Sequence, residues 1–170
     1  MKKIIVIGLT GSGKTTLSNK IGGMLDIPVH HLDKIFWKEK GGIKQDVFLA
    51  HQENIMLGDK WIMDGSFPRS KTLEVRIQNA DTIIFYHIPL WLNFLRRIKR
   101  YKENQKIAKP DLVHEKNWPL TWKEIKYALA YPTKEIYSRI LPLSKNKNVF
   151  IIKNRKDEES LIDRIKKLQN

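Results

Sequence analysis

The stretch "IVIGLTGSGKTTLSNKIGGML", Ile5 to Leu25, decides how the rest of the chain is read. It opens with an apolar run, passes through three closely spaced glycines to Lys-Thr-Thr, and continues with Leu17, Ile21, Met24 and Leu25 at helical spacing. Gly8-Leu9-Thr10-Gly11-Ser12-Gly13-Lys14-Thr15 matches G-x-x-x-x-G-K-[ST] at every fixed position. Each residue type has a physical purpose in that pattern. The glycines let the backbone wrap an anion closely. Successive N–H groups then form a nest, and the helix that follows adds its free amides and the positive end of its dipole. Lys14 is placed to reach the beta and gamma phosphates, and the Thr15 hydroxyl to ligate Mg²⁺. Gly8, Gly11, Ser12, Gly13, Lys14, Thr15 and Thr16 are therefore the candidate nucleotide-binding set. A glycine turn between strand and helix would need none of these later residues. The chain has no Asn-Lys-x-Asp stretch of the guanine-specific kind, which favours ATP.

Outward from this loop, short apolar runs alternate with helical patterns. Strands are expected at Lys3–Gly8, Pro28–Leu32, Trp61–Met63, Thr82–Ile88 and Asn148–Ile152. Helices are expected over Asp46–Leu57, closed by Gly58, over Lys71–Asn79, and from Leu90, whose Trp91, Phe94, Leu95 and Ile98 mark one apolar face. Residues 102–117 read as polar, basic and irregular. "TWKE", Thr121–Glu124, is a capping box, and Pro132 kinks or breaks the helix that it opens, with helical spacing resuming to Leu141. Leu161, Ile162, Ile165 and Leu168 form the inward stripe of a last helix. This order predicts an α/β fold with a parallel sheet covered on both faces. The residues that follow the strands, Gly11, Asp33, Asp64 and the loop after Ile152, are then expected along one sheet edge, where such sheets bind ligands.

Composition sets limits. The chain has 170 residues, consistent with one domain over 1–170. With no cysteine, disulfides and thiolate metal sites are excluded, which suits a reducing, cytoplasmic setting. No apolar run approaches the roughly 20 residues of a membrane span. The net charge of +14 draws phosphates, nucleotides or nucleic acid, or reflects a solvated lysine-rich surface. His30, His31, His87 and His114 have no metal-ligand spacing and read as structural or surface residues.

Beyond the loop, "HHLDKIFW" (His30–Trp37), "WIMDGSFPRS" (Trp61–Ser70), "NADTIIFYHIP" (Asn79–Pro89) and "RRIKR" (Arg96–Arg100) carry a resemblance. The chain resembles the small P-loop kinases, such as adenylate, shikimate and gluconate kinases. It looks most like the adenylate-kinase-related DNA topology modulation proteins of the FlaR type. The resemblance implies a P-loop NTPase fold with strand order 2-3-1-4-5, ATP with Mg²⁺, an acceptor-binding helical segment at 34–60 and a helical lid at 96–120.

It also implies roles for individual residues. Asp33 would orient the acceptor hydroxyl or take its proton; an N-cap is the plainer alternative. Asp64 would support Mg²⁺, with Thr15. "DGSFPR" carries one residue, Ser66, more than the adenylate kinase pattern, which shifts Phe67 and Arg69. Arg69 would clamp an acceptor phosphate or serve as an ordinary turn arginine. Trp37 and Arg76 fall on the acceptor side. Arg96 and Arg100, four apart on one helix face, would neutralise the transferring group, or belong to a solvated basic face. Residues 153–155 would flank the adenine. Tyr86-His87 stands where relatives carry a carboxylate. The expected activity is phosphoryl transfer from ATP to a nucleotide or small hydroxylated acceptor. The alternative is an ATP-binding regulator that acts on DNA topology or another partner, although the chain has no known DNA-binding motif.

Overall fold

Five short strands meet in one parallel sheet. Its central strands, Lys3–Gly8, Trp61–Asp64 and Thr82–Tyr86, are buried on both faces and need cover above and below, while the edge strand Val29–His31 is half-buried. The computed structural model describes residues 1–39, 41–106 and 122–167. In chain order these give β1 (Lys3–Gly8), α1 (Lys14–Leu25), β2 (Val29–His31), α2 (Leu32–Phe36), α3 (Gln45–Met56), β3 (Trp61–Asp64), α4 (Lys71–Asn79), β4 (Thr82–Tyr86), α5 (Leu90–Lys106), α6 (Trp122–Leu129), α7 (Thr133–Ile140), a 3-10 turn (Leu141–Lys145), β5 (Asn148–Ile152) and α8 (Arg155–Lys167). The strand order is β2-β3-β1-β4-β5, as the resemblance implied. Every pairing is parallel.

Alternation along β1 splits the core in two. Ile5 and Ile7 join Phe48 of α3, Leu73 and Ile77 of α4, and Ile136 and Ile140 of α7 on one face. Ile4 and Val6 join Leu17 and Ile21 of α1 and Leu161, Ile162 and Ile165 of α8 on the other. Each such buried side chain contributes about 1.5–3 kcal/mol. The register matters more for function. Val6 pairs with Asp64, His31 with Asp64, and Gly8 with Tyr86. The carboxyl ends of four strands therefore lie side by side.

Several expectations change. The second strand stops at His31, because Leu32 opens α2, and Asp33 sits in the first turn of that helix rather than at a strand end. A carboxylate there is favoured by the helix dipole. The fourth strand stops at Tyr86, before His87 and Pro89. The helix from Leu90 runs on to Lys106, into the stretch read as irregular. Its apolar stripe also does not face the core: Trp91, Leu95 and Ile98 are exposed, whereas Asn93 is buried. The helix is turned so that Arg96 and Arg97 meet the glycine loop, and Asn93 Nδ2 donates to the Ile88 carbonyl at 3.2 Å. Pro132 separates α6 from α7 as expected. Most of the region assigned to a lid, residues 107–120, lies outside the described residues, as does Thr121 of the capping box. Among the described residues no helix is long and apolar enough to cross a membrane.

Candidate active site at the carboxyl edge of the sheet

The loop between β1 and α1 takes its shape from glycines. Gly8 has φ 145°, and a Cβ there would lie 2.5 Å from the Tyr86 carbonyl oxygen on the neighbouring strand. Gly13, with φ 108°, precedes α1 and offers no side chain to cap it. The first-turn amides of α1, including those of Lys14, Thr15 and Thr16, are thus left to an external acceptor. Ser12 is fully buried, and its hydroxyl has no partner. Lys14 is also buried, with Nζ donating to the Leu9 carbonyl at 3.1 Å. Burial holds the ammonium below the ordinary lysine pKa, against the pull of Asp64 and Asp33.

Asp64 ends β3 and is almost fully buried. Its Oδ2 accepts from Thr15 Oγ1 at 2.6 Å and meets His31 Nδ1 at 3.0 Å. Its Oδ1 is buried with no partner. An orphaned carboxylate oxygen beside a threonine hydroxyl suits a hard divalent cation that takes its remaining ligands from water and phosphate. Among the described residues no group of three or more His, Asp or Glu is placed to hold a metal by itself.

Asp33 is open to water in the first turn of α2. Burial by its surroundings raises its carboxyl above the ordinary value, and neighbouring Asp64 adds to this, while Lys14, Arg76 and His31 oppose it. Arg96 reaches back to the loop: Nη1 donates to the Ser12 carbonyl. That guanidinium would also lie 3.3 Å from a Cβ placed on Gly13. The side chain of Arg100, one turn further along α5, lies outside the described residues. Lys14, Thr15, Asp33, Asp64 and Arg96 are thus brought together.

Two predicted acceptor residues take other places. Arg76 is completely buried, with Nη1 donating to the Gly65 carbonyl at 2.6 Å, Nη2 to Ser66 at 2.8 Å and Nε to Thr72 at 3.3 Å. It holds the turn after β3 from beneath and does not open onto the site. Arg69 Nη2 donates to the Ala130 carbonyl at 2.9 Å, tying that turn to the end of α6. Trp37 stays half exposed, its ring 4.9 Å from that of Phe36.

Three residues not assigned to the site from sequence belong to this edge. Ser66 Oγ accepts from the Gly8 N–H at 3.0 Å and shares a hydrogen bond with the Tyr131 hydroxyl. The residue that departs from the adenylate kinase pattern therefore braces the phosphate loop. Next to it, Phe67 has φ 41°, and its ring packs 4.7 Å from Phe48 and 5.2 Å from Phe36. His31 reaches Asp64 only through strand register, which no spacing in the sequence reveals. Where the resemblance would put a carboxylate, Tyr86 donates to Glu158 Oε2 at 2.9 Å and His87 Nδ1 meets the Tyr137 hydroxyl at 2.7 Å. Replacing Ser66 with Ala should cost about 1–3 kcal/mol, because the Gly8 amide loses its acceptor. Urea unfolding would read this; an unchanged midpoint would remove Ser66 from the bracing role.

The arrangement is a P-loop α/β fold with strand order 2-3-1-4-5. Solved structures of the same architecture include the shikimate kinase of Acinetobacter baumannii in complex with shikimate, with TM-score 0.58, 14% identity, and coverage of 99% of this chain and 92% of that one. A gluconokinase from Sinorhizobium meliloti 1021 gives TM-score 0.56 at 13% identity, covering 99% and 95%. Shikimate kinase from Bacteroides thetaiotaomicron gives 0.54 at 15%, covering 98% and 97%. No family model matches the chain.

Proposed function

We propose that this protein is an ATP-dependent phosphotransferase acting on a small hydroxylated acceptor. The observation that carries this reading is the convergence of Lys14, Asp33, Asp64 and Arg96 on one sheet edge, around a loop with unclaimed amides. A nucleotide triphosphate alone would need the loop; the carboxylate at Asp33 serves a second substrate.

In this reading the loop amides and Lys14 hold the beta and gamma phosphates. Thr15 and Asp64 would hold Mg²⁺, which when bound neutralises charge on the phosphate oxygens. His31 and Thr15 fix the Asp64 carboxylate for that purpose. The acceptor hydroxyl oxygen forms a bond to the gamma phosphorus as the bond to the beta–gamma bridging oxygen breaks. ADP leaves with that electron pair, and the hydroxyl proton passes to Asp33. Arg96, beside Ser12 and Gly13, neutralises charge on the transferring group, and Arg100 is assigned the same duty by its spacing. Segment 34–60 forms the acceptor side. Residues 96–120, with 107–120 outside the described residues, are assigned to the lid.

Transfer from [γ-³²P]ATP to a panel of small alcohols and nucleotides tests the reading. Asp33→Asn should lower kcat by about 10²-fold or more, with nucleotide affinity kept. A general base works only when unprotonated, and the Asp33 carboxyl is raised by burial. Activity should therefore fall as pH drops through a value above the ordinary carboxylate range. Full kcat in Asp33→Asn would remove it from the mechanism. The alternative of a DNA-acting regulator rests on net charge, and a salt titration with duplex DNA separates sequence-preferring binding from a merely basic surface.

A further inference from the structure

β4 closes with Phe85 and Tyr86, and strand alternation sends successive side chains to opposite faces of the sheet. Phe85 joins the core that α7 covers, and Tyr86 joins the core that α1 and α8 cover. His87, one residue beyond, returns to the side of Phe85, and the two rings lie nearly parallel with centroids 5.9 Å apart. Tyr137 of α7 stands edge-on to both, 5.2 Å from each ring. Its hydroxyl meets His87 Nδ1 at 2.7 Å. The imidazole is therefore held in one orientation, and Nε2 is the nitrogen that a ligand would meet. Burial and the charge of Lys153 keep its pKa below the ordinary histidine value, so the ring is neutral at neutral pH.

Beside this histidine lies a cavity of about 170 Å³. It sits at the break that Pro132 makes between α6 and α7: Ala128 and Tyr131 line it from before the break and Thr133 from after it. Leu9 of the phosphate loop and Pro89 contribute further wall. Tyr131 closes it towards β3, because its hydroxyl bonds Ser66 there. Both β3 and β1 separate β4 from β2, the strand that leads to Asp33. The cavity is thus a different place from the one assigned to the acceptor hydroxyl.

Its chemistry is selective. Charged residues make up 29% of the chain, yet among the described residues no Asp, Glu, Lys or Arg lines this cavity. Moving a charged ligand from water onto such walls is costly. The imidazole of His87 and the hydroxyl of Thr133 are the few polar groups that orient a ligand within an otherwise apolar site. An apolar cavity of about 150 Å³ holds one benzene ring, so the space here matches a single ring with one small substituent.

We propose that this cavity is a second small-molecule site, which takes a compact uncharged ligand of one ring whose single hydroxyl bonds His87 Nε2. The site stands apart from phosphoryl transfer: none of Lys14, Thr15, Asp33, Asp64 and Arg96 lines it.

The test titrates the full chain with phenol, toluene and benzoate, followed by backbone amide shifts in NMR spectra. Phenol should saturate one site with a Kd of about 1 mM, with shifts centred on residues 87–90 and 128–133. Toluene, which lacks the hydroxyl, should bind about fivefold more weakly. Benzoate, which carries a charge, should not bind there. His87→Phe keeps a ring to stack on Phe85 but removes Nε2, so it should abolish the preference for phenol and leave toluene binding in place. Ala128→Met should fill the cavity and remove both. If thermal melts show Ala128→Met unfolded, the loss of preference in His87→Phe decides the assignment alone. No saturable phenol binding, shifts centred elsewhere, benzoate binding as tightly as phenol, or a phenol preference kept in His87→Phe overturns the proposal. Competitive displacement of phenol by an ATP analogue also overturns it, because the ring would then occupy the nucleotide site.

Discussion

A Lys14→Met variant is expected to lose phosphoryl transfer by about three orders of magnitude while staying folded. Methionine keeps the length and burial of the stem and the backbone N–H but removes the ammonium that would meet a phosphate. In the wild-type protein the ammonium is held inside the loop on the Leu9 carbonyl, with Asp64 and Asp33 as its electrostatic partners. Burial costs the charged form part of its stability, so the group is primed to gain from an arriving anion. That gain is largest when the transferring group carries most charge, so kcat should fall more than ATP affinity. Removing a desolvated ammonium should not itself destabilise the fold. Rapid-quench transfer and a nucleotide-binding titration check this. If Lys14→Met transfers phosphate at the wild-type rate, the mechanism proposed above is wrong.

The second large effect is on stability. Arg76→Met should cost about 3–5 kcal/mol, because it strands the carbonyls of Gly65, Ser66 and Thr72 in the interior. For a chain of this size that means a fall in Tm of about 10 °C. Burial brings the guanidinium pKa down to about 10, against the opposing influence of Tyr131 and Asp33, so it stays charged at neutral pH. Arg76→Lys should recover only part of the loss, since one ammonium cannot match a planar fork on carbonyls from three residues. Activity should fall with stability, because the turn that Arg76 supports carries Asp64 and Ser66. Urea unfolding of both variants is the measurement. An unchanged midpoint with a raised acceptor KM would return Arg76 to the acceptor site.

Local signals and long-range ones fared differently. The phosphate loop was legible because its chemistry is written in consecutive residues. The strand order followed from the resemblance, and the alternation of strand and helix implied the parallel sheet. Asp33 and Asp64 could be placed at the carboxyl edge because each stands at or near the end of a short strand that the sequence marks. Arg76 was misplaced for a physical reason: its helical segment shows where the residue sits along the chain, but not that its side chain turns inward beneath the β3 turn. The apolar stripe of α5 misled for a similar reason. Trp91, Leu95 and Ile98 have the spacing of a buried face, yet the competing contacts of Asn93, Arg96 and Arg97 set the rotation of the helix.

By itself, then, the sequence determined a glycine loop between strand and helix, the parallel sheet around it, and the positions of Asp33 and Asp64 near strand ends. These depend on backbone chemistry and on apolar periods that act over a few residues. Only the tertiary structure decided that His31 steadies Asp64 and that Ser66 and Tyr131 brace Gly8. Those pairings join residues from separate elements, and strand register and helix rotation bring them together only when the whole core packs.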